Sequence, residues 1–89
     1  MNAMRRKRLW EIRARIADIE EGLQTIKDDI EQIRDEEQDA FDNMPEALQE
    51  SSRGEVMQET IDKIEEIIDG LDEIDLDYLM DSIEEVANI

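Results

Sequence analysis

The sequence predicts an all-α fold. It reads as an antiparallel helical hairpin of coiled-coil character, with a second arm kinked or broken near residues 70–77, that dimerises into a four-helix bundle. Three observations carry this. Apolar residues recur at alternating intervals of three and four along two long stretches, turn-forming residues separate those stretches, and glycine with aspartate disturbs the second one. A single helical domain over 1–89 then divides into a helix over about 5–41, a connection over 42–54, a helix over about 55–71 and a helix over about 76–88.

The first helix rests on Leu9, Ile12, Ile16, Ile19, Leu23, Ile26, Ile30 and Ile33, spaced 3, 4, 3, 4, 3, 4 and 3, the seam of a heptad repeat and the expected core and oligomer contact. Its shoulders mix both charges: Arg13, Glu20, Lys27 and Arg34 on one side, Arg15, Gly22, Asp29 and Glu36 on the other. Gly22 weakens the helix by about 1 kcal/mol relative to alanine. Beyond Ile33 the seam loosens at Glu37, and Phe41 and Met44 take over the packing. Trp10 lies beside the seam, where it either widens the core contact or offers an exposed anchor.

Asp42, Asn43 and Pro45 stop this helix, and Asn43 with Glu46 is placed to cap a short turn. Ser52 with Glu55 has the spacing of a capping box, so a further helix starts near Ser52. Its seam is Met57, Ile61, Ile64, Ile68 and Leu71. The phase slips over 70–77 and resumes at Leu76, with Asp75 or Asp77 available as a cap. Two arms of about 37 residues each span roughly 55 Å, a match that favours an antiparallel hairpin. Such a hairpin sets Arg5, Arg6, Lys7 and Arg8 near Asp81, Glu84 and Glu85. Two helices alone leave part of each apolar stripe wet, which predicts self-association. Isoleucine at every second seam position from Ile12 to Ile33 disfavours a parallel two-stranded coil.

Charge is the clearest pointer to function. Residues 1–34 hold eight bases against seven acids, whereas 35–89 hold twenty acids and only Arg53 and Lys63, so almost the whole net charge of −17 sits in the second part. Folding a small helical protein does not need this imbalance, and self-repulsion works against it. Glu55, Glu59, Asp62, Glu66, Asp69 and Glu73 form a stripe apart from the apolar seam, thickened by Glu65, Asp72, Asp75 and Asp77. Carboxylates about 5 Å apart along a helix axis resemble, in sign and density, phosphates rising ~3.4 Å per nucleotide. The expectation is a nucleic-acid mimic that occupies the basic groove of a nucleic-acid-binding protein. The alternative is a structural or adaptor coiled coil whose acidic face only solvates it.

Other classes fare worse. The net charge opposes direct nucleic-acid binding, although Arg5–Arg8, Trp10, Arg13 and Arg15 are the residues that would provide it. Glu73, Asp75, Asp77 and Glu84 match positions 1, 3, 5 and 12 of a calcium-binding helix-loop-helix, but Tyr78 stands where the turn needs glycine. There is no histidine or cysteine, so no ready nucleophile and base pair exists; an enzyme is not expected, and no cofactor or metal is called for. No run approaches the ~18 apolar residues of a membrane span, and the basic start lacks the continuous apolar stretch of a signal peptide, which predicts a protein of the cell interior.

Residues 35–55, from Asp35-Glu36-Glu37-Gln38 through Ala40-Phe41-Asp42-Asn43, Pro45-Glu46, Leu48-Gln49 and Arg53-Gly54-Glu55, resemble a stretch of short acidic coiled-coil proteins carried by Gram-positive bacteria and their phages. The resemblance covers about a quarter of the chain and brings no assigned activity. Its association with mobile elements implies the bacterial host cytoplasm and, as a concrete form of mimicry, an inhibitor of host defence such as an anti-CRISPR protein acting on a CRISPR nuclease. Read physically, Asp42, Asn43, Pro45, Ser52 and Gly54 fix the connection, and Phe41, Met44 and Leu48 plug the closed end or present a partner-binding tip.

Overall fold

The computed structural model describes Met1–Ile89 and is entirely helical apart from its connections. Helix α1 runs over Ala3–Asp42, α2 over Glu46–Gln49, α3 over Ser52–Asp72 and α4 over Leu76–Ala87. The chain groups into two compact units, Met1–Thr25 with Ile74–Ile89 and Ile26–Glu73. In each, a stretch of α1 runs antiparallel to a stretch of the second arm, as in a helical hairpin. No helix is long and apolar enough to cross a membrane.

Helix α1 starts two residues earlier than expected because the Asn2 carboxamide oxygen accepts the Arg5 amide at 2.9 Å, satisfying one of the unpaired N–H groups of the first turn. At the other end the Asn43 amide bonds the Asp39 carbonyl, the Met44 amide bonds Phe41, and Pro45 prevents continuation. Pro45, not Asn43, precedes α2, and it makes no side-chain cap. The α3 cap is likewise Ser51 rather than Ser52: its hydroxyl turns back to the Leu48 carbonyl, so no capping box forms and Ser52 is already helical. The second arm is broken, not merely bent. Helix α3 ends at Asp72, and α4 restarts after Asp75, whose carboxylate accepts the Tyr78 amide at 2.9 Å.

In the unit Ile26–Glu73, Ile61 and Ile68 are buried on α3, with Met57, Ile64 and Leu71 half-covered, as their spacing predicts. Gly54 is buried beside α2, and a β-carbon there would strike the Gln49 backbone carbonyl and stand 2.7 Å from its Cα. The close contact of α2 with α3 therefore depends on a missing side chain. The Gln49 carboxamide donates to the Phe41 carbonyl at 2.9 Å and the Met44 carbonyl at 3.2 Å, tying α2 to the end of α1. Phe41 and Met44 are half-buried, whereas Leu48 remains exposed. Lys27 reaches Asp72 at 3.2 Å.

In the other unit, Met80 and Ala87 on α4 are buried, and Arg13 meets Glu84 at 3.7 Å while its guanidinium lies 5.8 Å from the Trp10 ring centroid. Arg6 donates to the Ile89 carbonyl at 2.6 Å. Of the basic cluster at 5–8, Arg6 thus meets the Ile89 carbonyl rather than an acidic side chain, and Arg13 is the residue that pairs with Glu84. Trp10 is partly exposed under Arg13 and belongs to neither core.

The α1 seam splits. Leu9, Ile16, Leu23 and Ile30 are half-buried, while Ile12, Ile19, Ile26 and Ile33 are 42%, 62%, 51% and 54% exposed. The inner face of α1 pairs the first column with Arg13, Glu20, Lys27 and Arg34, all half-covered, and α1 has no fully buried residue. Long cationic side chains cover apolar surface with their stems while their heads reach carboxylates, as Arg13 and Lys27 do here.

Candidate protein-binding face

Helix α3 positions the acidic residues. Its inner side is set by Ile61 and Ile68, and a 100° turn per residue carries Glu55, Glu59, Asp62, Glu66, Asp69 and Glu73 onto one strip well away from it. All six are exposed, and none has a cation within 4.0 Å. The single side-chain hydrogen bond within the strip is from the Gln58 carboxamide to Asp62 at 3.2 Å. From Glu55 to Glu73 the strip extends roughly 27 Å along the helix.

Of the four acids expected to thicken it, Asp72 turns inward to Lys27 and Asp75 is occupied as the α4 cap. Asp77 lies in the first turn of α4, and Glu65 is exposed on α3 outside the strip. Lys63, Val56 and Ile67 occupy a further exposed side of α3. The strip is a plain array of solvated carboxylates. Residues 76–87 are helix, so Glu73, Asp75, Asp77 and Glu84 do not form a calcium loop, and nowhere do three or more potential ligands converge.

Sequence reasoning missed one residue that shapes the neighbourhood, Gln49, and read another, Gly54, only as part of the turn. Gln49 and Gly54 hold α2 against α1 and α3 and thereby fix where α3 begins. Both lie within the stretch over 35–55 whose pattern stands out in the sequence, and glycine two residues after a serine pair was the available signal. No family model, curated protein or solved structure matches the chain.

Proposed function

We propose that this protein is a non-enzymatic, protein-binding inhibitor whose acidic α3 face mimics a nucleic-acid backbone and blocks the basic groove of a nucleic-acid-binding protein. The observation that supports this best is the strip itself: six exposed carboxylates along one side of α3 with no paired cation. A helix surface serving only solubility mixes signs, as α1 does. Leaving six like charges unneutralised keeps their field directed outward, where it raises the association rate with a cationic groove. The concrete form of this reading is a phage anti-defence protein acting on a CRISPR nuclease in the bacterial cytoplasm.

Charge reversal tests it. Glu59→Lys, Asp62→Lys, Glu66→Lys and Asp69→Lys together leave the inner side of α3 untouched, so helix content should persist while partner binding is lost. Unchanged binding by that variant would overturn the mimicry reading.

One observation favours a second reading, a self-assembling structural or adaptor coiled coil. Four isoleucines of α1 stay in water in the single chain, and only Ile61, Ile68, Met80 and Ala87 form its buried apolar core. That is little for 89 residues, near the size at which an isolated core becomes marginal. Homodimerisation is compatible with either function.

A further inference from the structure

We propose that α1 pairs antiparallel with α1 of a second copy, in an isologous contact centred on Gly22 and built from the exposed isoleucine column and the charged column beside it. The inference rests on the self-association reading and not on the acidic face. Ile12, Ile19, Ile26 and Ile33 follow one another at intervals of seven, so they form a single column along an unbroken helix, and all four are exposed. Beside them, at the same interval, stand Arg8, Arg15, Gly22, Asp29 and Glu36, exposed as well. At the start of the helix, Ile12 shares a shallow groove with Met1, Leu9 and Val86, and Arg8 and Arg15 border it.

This charged column selects the occupant. It runs from two cations through glycine to two anions, so its reversed copy is its own complement. Turning a second α1 about a two-fold axis at Gly22 sets Arg8 beside Glu36 of the other copy and Arg15 beside its Asp29, each pair occurring twice. The same operation brings Ile12 within one residue, about 1.5 Å of rise, of Ile33 of the other copy, and Ile19 equally close to its Ile26. A parallel arrangement would instead oppose Arg8 to Arg8 and Asp29 to Asp29, which costs stability.

Gly22 supplies a separate argument. It sits exposed in the middle of a long helix, and a β-carbon there would meet nothing within 4 Å, so no contact of the single chain requires glycine. At the proposed axis the two helix backbones come closest, and there a missing side chain has a use. Net charge points the same way. Residues 1–34 are close to neutral while the rest carries about −18, which leaves the first part of α1 as the surface on which two such chains approach with least repulsion.

The chain has no cysteine, so single cysteines report the pairing directly. In sedimentation equilibrium the full chain should be dimeric. Gly22→Cys should cross-link to its own copy under mild oxidation. Arg8→Cys should not, because the two sites lie roughly 42 Å apart in the antiparallel pair, yet it should cross-link to Glu36→Cys when the two variants are mixed. Arg15→Glu should weaken dimerisation about tenfold, and adding Asp29→Arg in the same chain should restore it. Ile19→Gln should give a monomer of unchanged helix content by circular dichroism. A monomeric wild-type chain would refute self-association itself. A dimer in which Arg8→Cys self-links as readily as Gly22→Cys, or which Ile19→Gln leaves intact, would refute this pairing alone.

Discussion

Gly54 shows how one residue fixes a connection. Its α-carbon packs against the Gln49 backbone, a neighbour that cannot swing aside as a flexible side chain would. Gly54→Ala is therefore expected to lower stability by about 1–3 kcal/mol through overpacking, read as a lower urea midpoint, although alanine is the better helix former. Asp75 acts at the other interruption. Asp75→Ala should cost ~0.5–2 kcal/mol and speed hydrogen exchange of the Tyr78 amide, the group it caps. Asp75 was legible because an aspartate before a resumed apolar period is a standard start signal. Gly54 was legible as part of the connection but not as a packing position, since a glycine after serines reads as a turn-former, whereas here it marks a backbone contact with Gln49. Ser52 was read as the cap for a similar reason: either serine can cap, and the extended backbone of Ser51 is what places it just before the helix.

At the scale of elements, periodicity located the helices well and their faces less well. The heptad spacing of α1 describes two apolar columns equally, and nothing in an apolar count says which of them turns inward. The column that turns inward is the one flanked by Arg13 and Lys27, whose partners Glu84 and Asp72 lie far away in sequence. Lys27 is the better covered of the two cations, with 17% of its side chain exposed. A double-mutant cycle of Lys27→Ala and Asp72→Ala should give a coupling of ~0.5–1 kcal/mol that shrinks as salt is added. A coupling of zero would mean that the inner face of α1 is set by Leu23 and Ile30 without help from the pair. The acidic strip of α3 was readable in full, because its six members follow from helical spacing once Ile61 and Ile68 are placed inside.

For the whole molecule, charge divides the functions. The near-neutral start of α1 carries the proposed contact between copies, and the acidic second part carries the proposed contact with a partner. The two should separate experimentally: Arg15→Glu should impair dimerisation and spare partner binding by a single chain, whereas reversal of the α3 carboxylates should do the opposite. Partner binding should also fall steeply with ionic strength, since the Debye length shortens from about 10 Å at 0.1 M to about 3 Å at 1 M. The most direct measurement of the central claim is competition. Tagged protein is used to capture its partner from nuclease-treated bacterial lysate, and the complex is challenged with duplex DNA or structured RNA at fixed salt, beside the variant reversed at Glu59, Asp62, Glu66 and Asp69. The expected result is a basic nucleic-acid-binding protein that the nucleic acid displaces and the variant fails to capture. A partner that stays bound under the competitor and binds the variant equally well would contradict the account.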